Sequence, residues 1–277
     1  MFPQFTFLGK TFSTYGICAL IGILFALFLP YVILEKQKYN EIRYLFMMLI
    51  AMASSLIGSH LLYGIVNYRL LFIVFQNLDQ IHTFGDFFNL MKEIFGGSVY
   101  YGGLITGILG GFIYLKKTEK NRAPYADMGA AAIPLFHGFG RIGCFLGGCC
   151  YGVECSFGFT YQHALIESAN GVSRFPVQLV ESGLNFMLFG LLLLLYLKKS
   201  SRGKLVFLYL IIYPVIRFIL EFFRGDTYRG FVGFLSTSQL ISLLLLAFSV
   251  FSLLFIHRKE KKQAGRINAE TDPNISA

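Results

Sequence analysis

The sequence predicts an all-α, polytopic membrane protein with seven transmembrane helices, N-terminus out and C-terminus in. Three observations carry this expectation. The 277-residue chain is 55% hydrophobic and only 14% charged, which leaves too little polar surface for a water-soluble domain of this size. Apolar runs of about 20 residues, long enough to cross a hydrocarbon core as helices, recur along it. The connections between those runs alternate between basic-rich and basic-poor. Strand-period alternation is absent, which argues against a membrane β-barrel.

The first span, 15–35, contains GICALIGILFALFLPYVIL. Only Lys10 precedes it and its apolar run exceeds a signal-peptide core, so a retained helix is expected. Further spans are read at 44–65, 98–115, 124–145, 176–197, 205–223 and 236–256. The basic connections hold Lys36, Lys38 and Arg43; Lys116, Lys117, Lys120 and Arg122; and Lys198, Lys199, Arg202 and Lys204. The C-terminal segment adds Arg258, Lys259, Lys261, Lys262 and Arg266. Together these are two thirds of the chain's basic residues, and the positive-inside rule assigns them to the cytoplasm. The net charge of +9 therefore reflects topology and anchoring to anionic lipid, not nucleic-acid binding. Residues 257–277 read as a basic, disordered cytoplasmic tail.

Arg141, Arg217 and Arg224 lie in or at the ends of apolar spans, where an unpaired charge costs about 2.5 kcal/mol or more at mid-bilayer depth. Arg141 follows Pro124 by 17 residues, about 25 Å of helical rise. Arg217 is 12 residues past Leu205, about 18 Å, with Glu221 one turn higher. All three are expected at outer-leaflet height. Tyr15, Tyr101, Gln178, Glu181 and Gln239 begin spans that enter from outside and so share that height. One reading is interfacial snorkelling plus an Arg217–Glu221 pair at i, i+4. The other is a water-accessible pocket for an anionic group, since an arginine fork holds phosphate bidentately and keeps its charge. Three arginines around one carboxylate, Glu221, would leave the net positive charge that a phosphodiester needs.

His137, Arg141 and Cys144 are spaced i, i+4, i+7 and share one helical face. His137 is thus either a packed histidine or a base beside the arginine. Of five cysteines, Cys18 reads as a small core residue. The rest run C-x₄-C-C-x₄-C over Cys144, Cys149, Cys150 and Cys155, a poor match to structural zinc spacing. A disulfide from Cys149 or Cys150 to Cys155 and a thiolate at Cys144 are the other readings.

With these residues in view, the chain resembles the prolipoprotein diacylglyceryl transferases. Tyr15-Gly16 resembles a Tyr-Gly of the family's first helix, and LIGSHLLYGIVNY (56–68) its second-helix pattern, with His60 where an arginine is usual. YGGLITG (101–107) resembles a His-Gly-Gly-Leu-Ile-Gly stretch. GRIGCFLGGCCYG (140–152) stands where the family has Gly-Arg-Ile-Gly-Asn-Phe…Asn-Gly-Glu…Gly. RFPVQLVES (174–182), RFILEFFRGD (217–226) and SQLISL (238–243) continue the match in order.

The resemblance implies seven helices with the N-terminus out, in a bacterial cytoplasmic (inner) membrane. It implies transfer of the diacylglyceryl group of phosphatidylglycerol to the lipobox cysteine of a prolipoprotein, releasing glycerol-1-phosphate, with no metal and no cofactor. Arg141 and Arg217 would hold the phosphate, Glu221 would position Arg217, and Gly152 would let the chain approach the lipid. Tyr15, Cys144, Gln178, Glu181, Arg224 and Gln239 would complete the substrate site. Segments near 66–97 and 153–175 would form extracytoplasmic arms of a 1–256 membrane domain. Three further positions depart from the pattern. Tyr101 stands in place of a histidine proposed as base, and a phenol of reference pKa near 10 is a poor base. Cys144 replaces an asparagine and Cys149 a glutamate. Three alternatives stay open: a paralogue with the same donor and another acceptor, a phospholipid-binding membrane protein without catalysis, and a thiol-redox membrane protein built on 144–155.

Overall fold

The structure, a computed structural model, describes residues 1–68, 72, 83–164, 166–199, 203–226 and 230–271. Arg69, Arg202 and Arg229 lie outside the described residues, as do 70–71 and 73–82 of the expected 66–97 arm.

The chain opens with a hairpin, β1 (Gln4–Phe7) and β2 (Lys10–Ser13), paired with Gln4 opposite Ser13. Its two-residue turn, Leu8-Gly9, has both φ angles positive, as the twist of a tight hairpin requires. Ser13 then caps α1 (Thr14–Lys36) by accepting from the Gly16 amide. Asn40 caps α2 (Glu41–Val66) in the same way through Arg43. After the undescribed stretch, a Thr83–Asp86 capping box starts the short α3 (Phe84–Phe95). His60 of α2 pins the end of α3 through the carbonyls of Phe95 and Gly97.

Helix α4 (Tyr100–Thr118) follows, then α5 (Ala123–Gly147), which ends on the left-handed Gly148. An irregular arm carries β3 (Glu154–Thr160) and β4 (Ser173–Arg174), paired antiparallel with a register shift. Helices α6 (Val177–Leu197) and α7 (Leu205–Leu220) come next. Asp127 of α5 accepts from the Gly203 and Leu205 amides and so caps α7. A 3₁₀ turn, Glu221–Phe223, and a small hairpin, β5 (Phe231–Val232) with β6 (Leu235–Ser236), lead to α8 (Thr237–Thr271).

The fold is thus mostly helical, and this is a multi-pass membrane protein. Among the described residues, six helices are long and apolar enough to cross a membrane: α1, α2, α5, α6, α7 with its 3₁₀ extension, and α8 as far as Lys259. Their outward faces carry exposed Phe25, Phe28, Leu56, Ile57, Leu194, Phe248 and Phe251, as lipid-facing surfaces do. Helix α4, where the sequence predicts a seventh span, is not among the six. Five glycines and the closing Lys116-Lys117 make it less apolar, and the same glycines explain its packing. A Cβ at Gly103 would crowd Ser55 Oγ at 2.6 Å, and one at Gly107 would lie 3.2 Å from the Ala51 carbonyl. Helices α2 and α4 therefore touch backbone to backbone, as small residues allow in membranes. At the other end of the chain, α8 runs on past 257, where a disordered tail is expected, to Thr271.

The core lies between α2, α4, α5, α6 and α7 and is rich in tyrosine: Tyr44, Tyr101, Tyr125, Tyr209 and Tyr213 are buried. Their hydroxyls find partners, Tyr44 on the Ala26 carbonyl at 2.8 Å and Tyr209 with Tyr100 at 3.0 Å. Helix α5 packs broadly on α1 and α6, and α7 packs on α6 and α8, so α5, α6 and α7 meet. The candidate site is at that meeting.

Candidate active site

Each of the three helices brings charge to the same place. On α5, His137, Arg141 and Cys144 are all buried, as their common spacing predicts. On α7 and the 3₁₀ turn that continues it, Tyr213, Arg217 and Glu221 recur at i, i+4, i+8, and all three are buried as well. Between them α6 inserts Glu181, which is 1% exposed and touches both sides. Its Oε2 lies 3.0 Å from Arg141 Nε and 3.5 Å from Arg217 Nη1. Its Oε1 accepts from the Tyr213 hydroxyl at 3.4 Å and stands 3.7 Å from His137 Nε2. Glu181 joins the two arginines, a role that the sequence does not reveal.

Arg217 also meets Glu221 at 2.8 Å through Nη2, the expected i, i+4 pair, and donates to Ser238 Oγ at 3.4 Å. Arg224 lies 3.8 Å from Glu221 and forks onto Asp226, with Nε–Oδ1 at 2.9 Å. Burial works against its charge, but the Asp226 carboxylate holds the guanidinium above its ordinary range. The expectation of three arginines around one carboxylate is corrected here. Glu181, Glu221 and Asp226 match Arg141, Arg217 and Arg224 one for one, which is how a membrane helix bundle tolerates two buried arginines and a third that is partly buried. Arg141 is the least engaged. It meets the protein through Nε alone, and its two terminal nitrogens have no protein partner among the described residues.

The other predicted site residues are placed as follows. Tyr101 is buried, and its hydroxyl bonds Ser242 Oγ at 2.5 Å. His137 stacks on Tyr100 at 4.5 Å between ring centres, and its buried Nδ1 has no hydrogen-bond partner among the described residues. Tyr15 is 47% exposed and lies over Gly143, where a Cβ would come within 3.0 Å of its ring. Gln178 is fully buried. Its Oε1 accepts from Tyr161 at 3.0 Å and its Nε2 donates to the Cys149 carbonyl at 2.8 Å. Gln239 accepts from the Ser236 amide at 3.0 Å while its own amide donates to Ser236 Oγ, a reciprocal cap for α8.

Gly152 makes its close approach to protein, not to open space. A Cβ there would collide with the Phe175 carbonyl and sit 3.0 Å from that of Phe223. Val153 donates to Phe223 O and accepts from the Phe175 amide, both at 2.9 Å, and the Gly225 amide donates to Tyr151 O at 3.0 Å. Residues 151–153 therefore stitch the arm to the Arg224 turn.

All five cysteines are free thiols, so the disulfide to Cys155, one of the readings the sequence leaves open, does not form in this structure. Instead the Sγ atoms of Cys144, Cys149 and Cys150 lie within 4.8 Å of one another. Hydrogen bonds with Cys144 and Cys149, and the facing Arg141 and Arg224, hold the Cys150 thiol well below its usual range despite burial. The bond to Cys144 lowers Cys149, but Cys150 and burial outweigh it and push that thiol up to about 11.

Comparison with known proteins gives the family. The family model described as "Prolipoprotein diacylglyceryl transferase" matches residues 3–255. A Clostridium tetani protein named "Phosphatidylglycerol--prolipoprotein diacylglyceryl transferase" is 34% identical over 249 residues, 89% of this chain and 94% of that one. A Clostridium perfringens protein bearing the same name with the suffix 2 is 36% identical over 260 residues, 93% and 96% of the two chains. A Clostridium botulinum protein of that name is 29% identical over 252 residues, 90% and 94%. With a match over nearly its whole length and a buried arginine–carboxylate cluster at its centre, the chain belongs to the prolipoprotein diacylglyceryl transferase family.

Proposed function

We propose that this protein transfers the diacylglyceryl group of phosphatidylglycerol to the lipobox cysteine thiol of prolipoproteins, releasing glycerol-1-phosphate. The reading has the protein in a bacterial cytoplasmic membrane with seven crossings, α4 included, the N-terminus outside and the site open to the outer leaflet. The observation that carries it is Arg141. Its Nε stands 3.0 Å from Glu181 in an ion pair, and among the described residues no protein group bonds its two terminal nitrogens. A rigid, always-charged fork of that kind suits a phosphodiester oxygen that gains charge as its carbon bond breaks.

The roles follow from the contacts. Arg141 and Arg217 hold the phosphate, Glu181 and Glu221 position them, and Arg224 extends the cationic rim. The acceptor sulfur attacks C3 of the glyceryl unit, the C3–O bond to phosphorus breaks, and the electron pair leaves with glycerol phosphate. The thiol proton passes to His137, whose buried Nδ1 has no hydrogen-bond partner among the described residues. Tyr101 is not suited to that task, because its hydroxyl is engaged by Ser242.

The test uses the full chain in vesicles containing phosphatidylglycerol, with a lipobox peptide as acceptor. Release of glycerol phosphate together with a peptide mass gain of one diacylglyceryl unit is expected. Lipid binding without release would overturn the reading in favour of a non-catalytic lipid-binding protein. Release with water or another thiol, but never with the peptide, would point to a different acceptor.

A further inference from the structure

We infer that the N-terminal hairpin, β1 with β2, is a docking surface for anionic phospholipid. Its aromatic face lies in the interfacial layer of the membrane at the end of α1, with Lys10 on the lipid phosphate, and presents phosphatidylglycerol to Arg141. The docking goes beyond the transfer reaction, and the supply of donor lipid rests on that reading.

The register sorts the hairpin into two unlike faces. Directly paired residues share a face, so Phe5 with Phe12 and Phe7 with Lys10 stand on one side. Gln4 with Ser13 and Thr6 with Thr11 stand on the other. The Phe5 and Phe12 rings stack at 5.9 Å between centres. Every residue of both strands is nevertheless exposed, so among the described residues the protein covers neither face. A two-stranded hairpin with an open aromatic side is marginal in water. The turn points the same way. Leu8, at the tip, is 87% exposed and takes φ +50°, a left-handed conformation that asparagine or glycine adopts at less cost. A bulky apolar side chain held there gains nothing from water and much from hydrocarbon.

The hairpin is fixed at its base. The Thr14 amide donates to the Pro3 carbonyl at 3.0 Å, Thr14 Oγ1 donates to the Phe2 carbonyl, and the Phe2 amide donates to the Leu146 carbonyl at 3.1 Å. These bonds hold it against the start of α1 and the end of α5, both long and apolar enough to cross the membrane. Within the next turns α1 exposes Leu20, Leu24, Phe25 and Phe28, a lipid-facing surface continuous with the hairpin. The hairpin therefore stands where hydrocarbon gives way to headgroups. An aromatic face, a protruding leucine and a lysine suit that layer, the lysine by its attraction to anionic phosphate. Leu146 follows Arg141 by five residues, about 7.5 Å of helical rise. A phospholipid held on the hairpin is thus close to the guanidinium nitrogens that no protein group bonds among the described residues.

The chain contains no tryptophan, so one introduced indole reports its own surroundings. The full chain is reconstituted in vesicles of phosphatidylcholine and phosphatidylglycerol, with the indole on the aromatic face (Phe7→Trp) or on the opposite face (Thr11→Trp). Phe7→Trp should emit at shorter wavelength, be quenched by acyl-brominated lipid and be shielded from iodide, and Thr11→Trp should show the reverse. Brominated phosphatidylglycerol should quench Phe7→Trp more than brominated phosphatidylcholine, and adding Lys10→Glu should erase that difference. In the transfer assay Lys10→Glu alone should raise the half-saturating fraction of phosphatidylglycerol about fivefold at unchanged maximal rate, the scale of one basic residue near an anionic leaflet. The inference is overturned if the two indoles are equally open to iodide, if the headgroup makes no difference, or if charge reversal leaves half-saturation unmoved. It is also overturned if Phe7→Trp is shielded only after lipobox peptide is added, or only at high protein density, since the face would then serve the acceptor or a second copy. Should Phe7→Trp fail to fold, Leu8→Trp at the tip makes the same test. Fluorescence as expected without any release of glycerol phosphate would overturn the transferase reading and leave the docking surface standing.

Discussion

Arg141 in α5 and Arg174 in the arm are both buried, yet the protein treats them differently. Arg174 is fully used. It donates to the carbonyls of Ala169 at 3.3 Å and Ser168 at 3.0 Å, lies 3.4 Å from Glu154, and covers the Tyr151 ring at 4.5 Å. Among the described residues Arg141 has one ion pair, with Glu181 through Nε, although it is buried to nearly the same degree. Burial alone does not tell a structural cation from a binding one. What distinguishes them is how much of the guanidinium the protein itself satisfies, and on the proposed reading the arm is a brace and the helix cluster the binding site.

The sharpest way to break this comparison is to remove each arginine. Arg141→Ala should cut glycerol phosphate release by about 10³-fold, the scale of a lost oxyanion-type contact, with little change in thermal unfolding. Arg174→Ala should do the reverse: stability falls by about 1–3 kcal/mol, while turnover per folded molecule stays within about fivefold. Equal losses of turnover in the two variants would erase the distinction. Glu181→Gln tests whether the cluster acts as a unit. It keeps the volume but removes the charge shared by Arg141 and Arg217, so turnover should fall about 10²-fold with the fold intact. Full activity in that variant would mean that Glu181 only packs.

Two smaller effects sharpen the same contrast. Gly152→Ala pushes a methyl group onto two backbone carbonyls that join the arm to the Arg224 turn. It should cost about 1–3 kcal/mol and lower the unfolding temperature by a few degrees. Tyr101→Phe removes one buried hydrogen bond to Ser242, about 1 kcal/mol, and should leave turnover within about fivefold. A loss of a hundredfold there would make Tyr101 the base and remove that role from His137.

Much of the fold was legible before any coordinates. Burying an apolar side chain is favourable residue by residue, and helical periodicity is a local constant, so six long apolar helices and the shared faces of Arg141 and Arg217 follow from the residues alone. The Arg217–Glu221 pair follows from i, i+4 geometry in the same way. Helix α4 was harder to rank as a span, because its glycines serve contact with α2 and lower its apolarity. The continuation of α8 to Thr271 escaped a reading based on polarity.

The site divides along the same line. The sequence by itself determined which residues are costly to bury and on which helical faces they stand, since both depend only on neighbours within a few turns. Tertiary structure alone decided that Glu181 would unite two arginines from other helices, and that Asp226 would neutralise Arg224. It also gave Gly152 a backbone junction to fit, and turned Cys149 and Cys150 back toward Cys144. Those outcomes depend on how one helix meets another and on a left-handed turn at Cys150, and neither leaves a periodic trace in a single segment.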